Sequence, residues 1–358
     1  MRVGISLLTL VPQVVGGSER YARELCRALA RVGELEYRVF VPSIAADAAD
    51  GLPSTLVRSY RAAHSMPGRM AAMSLGAAVP WPVRRELGLD RLQALHFPLS
   101  VMLPPVRRPP AATTILDLQH EFLPEFFSRS ELAYRRTVYG WTARRSRIVI
   151  TISEHARKTL IDRLDLAPDR VRAIHLAVDL DRFTPGPSPA EREPYLVYPA
   201  NRWPHKNHER LFEAFRLLCR TRPDLRLVLT GTGHDRAPLP ERVEARGFVS
   251  ADELVELYRR ASALVFPSLY EGFGQPPLEA MACGCPVAVA ETTSLPEVCG
   301  DAAAYFDPRS PDDIARAVEV VLAEPDEYIR RGLARARLFT WDECARRHDA
   351  VYRELVEA

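Results

Sequence analysis

Apolar residues in the first half of the chain form short runs that alternate with amphipathic segments. The run at 2–10 leads to a glycine pair, Gly16-Gly17, after which apolar residues recur at the spacing of a helix. This is the pattern of a strand, a glycine turn and a helix. Further apolar runs, separated by helix-compatible stretches, predict strands at 37–42, 93–97, 111–116 and 147–152. The alternation indicates a parallel α/β sheet.

The second half repeats this alternation after a proline-rich segment at 184–194, which has no periodicity and which we interpret as a linker. Strands are predicted near 195–199, 225–230, 245–249, 262–267, 286–290 and 303–306. Helices are predicted near 207–221, 251–261, 276–283 and 311–323. The sequence therefore predicts two Rossmann-like domains, at 1–182 and 183–340. We expect a C-terminal helix, 341–358, to pack back on the first of them.

The composition is that of a globular protein with two hydrophobic cores. Of its 358 residues, 47% are hydrophobic and 26% are charged, and no apolar stretch of the sequence is long enough to span a membrane. The N-terminus lacks the features of a secretory signal, so we expect a cytoplasmic protein. No recognition-helix or RNA-binding motif accompanies the charged residues, and we expect no nucleic-acid partner.

The net charge of +2 hides an asymmetry between the two halves. Residues 1–182 contain 26 Lys and Arg against 18 Asp and Glu, whereas residues 183–358 contain 22 against 28. Arginines and aromatic residues mix between 122 and 147. They would suit an anionic or lipid-linked acceptor, or peripheral contact with the inner face of a membrane. Solvated arginines and aromatic residues of the core are the alternative interpretation.

Candidate chemistry lies in the loops that follow the strands, because ligands of parallel α/β sheets bind outside the carboxyl ends of the strands. Gly16 and Gly17 would allow a ligand to approach the backbone closely, and the helix after them presents free amides to a phosphate. A purely structural glycine turn would have the same sequence.

A basic loop at 201–207 follows the first strand of the second domain. Arg202 offers a planar fork for phosphate oxygens, and Lys206 offers a point charge near them. The chain has 46 arginines and two lysines, so a lysine at this position runs against a strong compositional bias. We therefore interpret the pair as a site that holds a diphosphate and neutralises it as it leaves.

A second loop, at 270–284, carries two carboxylates on either side of a glycine-containing turn. Its prolines stand where a helix begins. We expect Glu279 in the first turn of that helix, where it could accept hydrogen bonds from the hydroxyls of a ribose, and we expect Glu271 to hold sugar hydroxyls. The backbone amides that would meet a sugar or phosphate are those of Phe273, Gly274 and Gln275.

This second loop reads E-G-F-G-Q-P-P-L-E-A-M-A-C-G-C-P-V from Glu271 onward, with R-W-P-H-K-N before it. In these motifs the chain resembles the retaining family-four glycosyltransferases, and the resemblance covers nearly the whole chain. It implies a GT-B fold, in which two Rossmann-like domains face each other across a cleft. It also implies a nucleotide diphosphate sugar as donor, transfer with retention, and no required metal or other cofactor.

The resemblance further implies roles for individual residues. Arg202 and Lys206 would bind the diphosphate. Glu271 would bind the donor sugar and Glu279 the ribose, and the nucleobase would lie beside residues 248–249. The full set that it assigns to the donor is Gly16, Gly17, Arg202, Lys206, Gly231, Phe248, Val249, Glu271, Gly272, Phe273, Gly274, Gln275, Leu278 and Glu279.

One position departs from the family's pattern. The family often has His-Asp after the strand at 111–116, whereas here Leu116 precedes Asp117, and His120 lies three residues further on. We hypothesise that Asp117, His120 or both face the reacting sugar; a histidine hydrogen-bonded within its loop is the alternative. The catalytic residues that we expect are Asp117, His120, Arg202, Lys206 and Glu271.

Together these features predict a hexosyltransferase that serves the synthesis of cell-surface polysaccharide or glycoconjugate. The P-H-K-N motif favours a mannose-type donor, GDP-mannose, and the acceptor would be a glycan or a lipid-linked molecule. A sugar-nucleotide epimerase on the same fold is one alternative. A catalytically silent scaffold is the other; Leu116 supports it, and it predicts nucleotide binding without transfer.

Overall fold

The computed structural model describes residues 1–12, 16–186, 192–236 and 238–357. The chain divides into two compact units, the first made of Met1–Leu176 with Trp341–Ala358 and the second of Ala177–Thr340. The first unit thus ends a few residues before position 182, where the sequence places the domain boundary. The predicted linker at 184–194 lies in part, at 187–191, outside the described residues.

A parallel sheet of seven strands forms the centre of the first unit. The strands are β1 (Arg2–Ser6), β2 (Glu36–Val41), β3 (Ser54–Leu56), β4 (Ala94–Phe97), β5 (Ala111–Thr114), β6 (Ile148–Thr151) and β7 (Val171–Ala173). Their order in the sheet is β3-β2-β1-β4-β5-β6-β7. Strands β4, β5 and β6 are buried at every position, as expected of a parallel sheet covered on both faces.

Helices cover this sheet. They are α1 (Gly17–Val32), α2 (Met66–Ala78), α3 (Trp81–Leu87), α4 (Gln119–Phe122), α5 (Arg129–Arg145) and α6 (Glu154–Leu164). Helix α1 buries Tyr21, Leu25 and Leu29 at helical spacing, so the glycine turn and helix predicted after the first strand are confirmed. Helix α5 begins at a capping box between Ser128 and Glu131.

The second unit is built on a parallel sheet of six strands. The strands are β8 (Glu193–Pro199), β9 (Arg226–Thr230), β10 (Val243–Ala245), β11 (Ala261–Phe266), β12 (Val287–Ala290) and β13 (Ala303–Phe306), in the order β10-β9-β8-β11-β12-β13. Its helices are α7 (His208–Thr221), α8 (Ala251–Arg260), α9 (Gln275–Ala282), α10 (Leu295–Cys299), α11 (Pro311–Ala323) and α12 (Pro325–Ala336). Both units therefore have the doubly wound order, with a reversal beside the first strand.

The C-terminal helix, α13 (Trp341–Glu357), belongs to the first unit and packs against α1. A buried hydrogen-bond network fastens it there. The His348 Nδ1–H donates to the Cys344 carbonyl over 2.8 Å, which leaves Nε2 to accept from the Tyr21 hydroxyl over 2.9 Å. The Tyr21 hydroxyl also lies 2.9 Å from Thr114 Oγ1 on β5. The network thus joins α13, α1 and the sheet.

Most of the predicted elements are confirmed to within two residues. Strands β3 and β7, of three residues each, and helices α10 and α12 were not predicted. The strand expected at 245–249 is wrong in position, because β10 ends at Ala245. Within the described part of the chain, no helix is long and apolar enough to cross a bilayer.

Candidate functional site

The reversal of strand order in the second unit brings two loops together. Strands β8 and β11 are neighbours, so the loops at their carboxyl ends, 200–207 and 267–274, lie side by side. The Leu269 amide donates to the His205 carbonyl over 2.8 Å, joining the two loops directly. The two segments singled out in the sequence of this unit therefore form one site at the edge where α/β sheets bind ligands.

Lys206 and Glu271 form the centre of this site. Lys206 Nζ lies 2.6 Å from Glu271 Oε1, and the two side chains are 15% and 14% exposed. A charge-assisted bond at this depth holds the ammonium more firmly than a surface pair would. Lys206 keeps two further N–H donors, so it can bind an anion while paired with Glu271.

The backbone of Lys206 is held in place by its neighbours. The Tyr198 hydroxyl donates to the Lys206 carbonyl over 2.7 Å. Asn207, which follows, has a φ of 59°, in the left-handed region that asparagine tolerates. Its side-chain amide donates to the carbonyls of Pro267 and Pro308 over 3.1 and 2.7 Å. Sequence reasoning did not single out Tyr198, and it gave Asn207, the last residue of the basic loop, no role of its own, because only the fold brings their partners close.

Arg202 makes its contacts with α7. Its Nη2 lies 2.7 Å from Glu209 Oε1, and its guanidinium carbon lies 5.5 Å from the centre of the Phe212 ring. Its Nη1 is buried and has no hydrogen-bond partner within the part of the chain that the structure describes. A buried guanidinium donor without a partner is costly, and an anion in the loop would remove that cost.

The turn between the two carboxylates is shaped by Gly274, whose φ is 109°. A side chain is strained at this φ, and its Cβ would also lie 2.7 Å from Leu295 Cδ2, so the turn favours glycine. The Ser294 hydroxyl lies 3.0 Å from the Glu271 carbonyl and 2.8 Å from the Phe273 carbonyl. The backbone of the turn is thereby fixed just before α9. Gly272 before the turn and Leu278 after it are both buried. The side-chain amide of Gln275 donates to the Ala177 carbonyl over 3.3 Å.

Glu279 differs from its predicted position. It is the fifth residue of α9 and therefore lies in the second turn, not the first. The side chain is 2% exposed, and the Tyr258 hydroxyl donates to its Oε2 over 3.3 Å. The two prolines occupy the first turn instead, because proline lacks the N–H that a helix start leaves without an intrahelical partner.

Two further loops, after β9 and after β10, add a close backbone approach and an exposed aromatic ring. A Cβ on Gly231 would lie 2.8 Å from the Asn201 amide nitrogen, and its φ is 99°. Its own amide donates to the Gly247 carbonyl over 2.7 Å. Phe248, which follows, is 88% exposed, and Val249 is half-buried. Both come after the end of β10, so they belong to a loop. An exposed ring of this kind can stack on a planar ligand.

Two histidines near these loops, His205 and His208, are neutral at physiological pH. Burial and the Lys206 charge lower the pKa of His205 to about 4. Burial, with the charge of His234 next, lowers the pKa of His208 to about 3. The rings of His208 and His234 lie 5.1 Å apart, centre to centre. Both side chains are buried.

The predicted residues of the first unit lie in two segments, one at the start of α1 and one after β5 that runs into α4. Gly16 has a φ of 51°, and no described atom lies within 4 Å of a Cβ built on it or on Gly17. Asp117 Oδ1 accepts the Gln119 amide over 2.9 Å. His120 is 1% exposed and packs edge-on against Tyr139, and burial lowers its pKa to about 4. Among the described residues its Nδ1 has no hydrogen-bond partner, and its Nε2 lies 3.6 Å from Glu121 Oε1. The ring is therefore buried by packing in α4, and the hydrogen bond of the alternative interpretation is not seen.

Among the described residues, no cluster of three or more His, Cys, Asp or Glu side chains is arranged to hold a metal ion.

Comparison with known families gives two adjoining matches. The family model described as Glycosyltransferase Family 4 matches residues 15–182, and the model described as Glycosyl transferases group 1 matches residues 182–335. The two matches meet at residue 182.

Relatives of known activity share a large part of the sequence. O-antigen chain mannosyltransferase B of Escherichia coli is 32% identical over 70% of this chain and 72% of its own length. Serotype-specific mannosyltransferase WbdA of Escherichia coli is 31% identical over 56% of this chain, but the match spans 28% of that longer protein. GDP-mannose-dependent alpha-(1-6)-phosphatidylinositol dimannoside mannosyltransferase of Mycobacterium tuberculosis is 35% identical over 39% of each chain.

Among solved structures, sucrose-phosphate synthase from Thermosynechococcus elongatus is similar over 99% of both chains, with a TM-score of 0.74 and 19% identity. At this identity the likeness concerns the fold. It confirms the predicted class, a GT-B protein with two Rossmann-like domains.

Proposed function

Because the chain belongs to the family-four glycosyltransferases and is a glycosyltransferase, we propose that it moves mannose from GDP-mannose to a glycan or lipid-linked acceptor, in the synthesis of a cell-surface polysaccharide. The sugar is supported by relatives named as O-antigen mannosyltransferases, and the base by a relative named as GDP-mannose-dependent. Transfer with retention is part of the proposal.

The Lys206–Glu271 pair is the observation that carries this proposal. It lies at the carboxyl ends of the adjacent strands β8 and β11, where the donor of a doubly wound domain is expected. Lys206 has donors left for phosphate oxygens, and Glu271 has a second carboxylate oxygen left for a sugar hydroxyl. One ion pair would thus contact the two parts of the donor between which the bond breaks.

In the proposed reaction, the bond between the sugar C1 and the diphosphate oxygen breaks, and the negative charge develops beside Lys206. The acceptor oxygen bonds to C1 on the same face of the sugar, and its proton goes to the departing diphosphate. Lys206, with the partnerless Nη1 of Arg202, would stabilise that charge at the moment it forms. We propose that these cations take the place of a metal and that no cofactor is required.

The nucleoside part of the donor would lie along the Gly231 and Gly247 turns. The exposed ring of Phe248 would stack on the base, and Val249 would border it. Glu279 would bind the ribose. Because its carboxylate is buried beneath the turn and bonded to Tyr258, we propose that the ribose reaches it only as the donor fills the loop.

For the acceptor, we propose a lipid-linked glycan and peripheral contact with the inner face of a membrane. The support is the excess of arginine in residues 1–182 and the exposed aromatic side chains of that unit, Trp81 and Trp141 among them. Asp117, at the carboxyl end of β5, would face the reacting sugar.

A catalytically silent scaffold is the second candidate, favoured by one observation. Leu116 stands where the family often has histidine, and the buried His120 packs against Tyr139 in its loop. Such a protein would bind GDP-mannose without breaking it. The intact Lys206–Glu271 pair favours the enzyme.

Release of GDP from GDP-mannose, with and without extracted glycolipid acceptors, tests the proposal. The two lysines of the chain give a matched pair of variants, because Lys158 is exposed on α6 in the first unit. We expect Lys206→Met to lower turnover about 100-fold or more, as loss of one charge-stabilising group does, and Lys158→Met to leave it unchanged. Equal turnover in both variants would refute the role of Lys206. Binding of GDP-mannose without release, with every acceptor, would favour the scaffold.

A further inference from the structure

Two adjoining grooves open on the surface of the first unit, away from its candidate residues. The larger, of about 560 Å³, is lined by Arg136, Thr137, Trp141, Arg144 and Arg145. The smaller, of about 320 Å³, is lined by Val106, Arg107, Pro109, Pro110, Ala111, Arg145 and Arg147. They share Arg145. We call the group formed by Arg107, Trp141, Arg144, Arg145 and Arg147 the arginine surface.

The arginine surface lies at the opposite end of the sheet from the loops that carry the candidate residues. Arg144 and Arg145 close the C-terminal end of α5, and Arg147 stands one residue before β6 begins. Asp117, in contrast, follows the carboxyl end of β5. The arginine surface is therefore separate from the acceptor site proposed above.

Within the described part of the chain, none of the four arginines of this surface takes part in an ion pair, and all four are exposed. Other exposed arginines of the same unit do have acidic partners: Arg27 pairs with Asp50 over 3.0 Å, and Arg31 pairs with Asp342. Four unpaired cations on one surface leave a strong positive potential.

The C-terminal end of α5, where the helix dipole is negative, does not neutralise the positive charge of these arginines. Arg170, from the turn before β7, already occupies that helix end and donates to the carbonyls of Ala143 and Arg144, each over 3.1 Å. The last carbonyls of the helix therefore have a cation of their own. Arg144 and Arg147 remain available to an external anion.

Trp141 adds an apolar component between the charges. Its side chain is 43% exposed and lines the larger groove beside Arg144 and Arg145. Tryptophan is enriched where a protein meets the headgroup region of a bilayer, because its ring is apolar and its N–H is polar. Unpaired arginines around an exposed tryptophan fit phosphate-bearing headgroups better than they fit a neutral glycan.

We propose that the arginine surface binds the anionic lipid headgroups of a membrane, through the guanidinium groups and with Trp141 inserted among them. This rests on the peripheral membrane contact of the proposed function and assigns that contact to particular residues. An arginine near an anionic surface strengthens binding about fivefold. Salt weakens such binding, because the guanidinium groups are exposed.

Co-sedimentation with vesicles tests this proposal. One set of vesicles contains phosphatidylcholine alone, and the other contains phosphatidylcholine with phosphatidylglycerol. The test variant is Arg144→Glu with Arg147→Glu. The control is Arg216→Glu with Arg220→Glu, an equal change of charge at exposed positions of α7 in the second unit.

We expect the protein and the control to sediment with the phosphatidylglycerol vesicles and not with phosphatidylcholine alone. The test variant should bind at least about 25-fold more weakly than the unaltered protein, and Trp141→Ala should weaken binding as well. The melting-temperature shift with GDP should be the same in all variants, so a failed donor site would be recognised separately.

Three results would overturn the proposal. The first is equal vesicle binding by the test variant and the control. The second is no binding of the unaltered protein to either kind of vesicle. The third is retention on an immobilised neutral mannan that only the test variant loses, which would assign the surface to a glycan instead.

Discussion

Asn207 offers a sharp test of how the structure positions Lys206. Its side-chain amide donates to two buried carbonyls, those of Pro267 and Pro308, and so ties the Lys206 loop to the loop that carries Glu271. Each such bond between neutral groups contributes about 1 kcal/mol, so removing both should cost about 2 kcal/mol of unfolding free energy.

Three substitutions at this position separate the effects. Asn207→Gly keeps the left-handed backbone and loses both bonds. Asn207→Ala loses the bonds and adds about 1 kcal/mol of backbone strain at a φ of 59°. Asn207→Asp keeps the shape but sets a carboxylate against the two carbonyls. We expect the order of stability to be wild type, Gly, Ala, with Asp destabilised at least as much as Gly.

In the three Asn207 variants, turnover should fall by more than the loss of folded protein accounts for. A displacement of Lys206 by about 1 Å would reduce kcat about 10- to 100-fold at temperatures where each variant is fully folded, with a smaller change in KM. Tyr195→Phe is the control, since it removes one buried bond of the same unit, to the Leu257 carbonyl, away from the site. It should lower stability by about 1 kcal/mol and leave kcat unchanged.

Thermal unfolding and steady-state GDP release check these expectations. If Asn207→Gly unfolded at the wild-type temperature, the two hydrogen bonds would not stabilise the loop. If all three variants lost stability but kept the wild-type kcat, Asn207 would stabilise the fold without positioning Lys206.

Three further predictions concern other parts of the molecule. Gly274→Ala should lose donor binding and stability, since its Cβ would meet Leu295 Cδ2 at 2.7 Å; a normal melting temperature would contradict the close approach. Phe248→Ala should weaken GDP binding about tenfold, measured by calorimetry, with no loss of stability; unchanged affinity would exclude stacking on the base. Burial lowers the pKa of His348 to about 4 from its usual 6.5, so the unfolded chain takes up the proton first. The stability that the neutral ring contributes is complete above about pH 6.5 and is lost as the pH falls towards 4. In His348→Gln, the free energy of unfolding should therefore change less with pH over this range. Identical dependence on pH in the variant and the wild type would refute this role of His348.

The sequence predicts the fold well where hydrophobic periodicity is strong. The central strands and the helices that bury a full apolar face, such as α7 and α11, fall within two residues of their predicted bounds. Strands β3 and β7 were missed because three-residue edge strands show too little alternation to be recognised. The strand at 245–249 was placed too late, because Phe248 reads as a strand residue although its ring is exposed.

The sequence predicted which segments form the site, but it did not predict the contacts between their side chains. Pattern alone indicated Lys206 and Glu271, but their 2.6 Å contact depends on the adjacency of β8 and β11. The same adjacency places Pro267 beside Asn207. Glu279 was expected near the surface of a first turn, whereas two prolines fill that turn and the carboxylate lies buried behind it.

A melting-temperature panel with GDP, UDP, ADP, dTDP and their common sugars tests whether the second unit binds a nucleotide sugar through Lys206. We predict that GDP and GDP-mannose stabilise the wild type and Lys158→Met, by about 2.7 kcal/mol at about 100 times the dissociation constant, and that Lys206→Met responds far less. No shift with any nucleotide at millimolar concentration, or an equal shift in Lys206→Met, would contradict the assignment of the donor site.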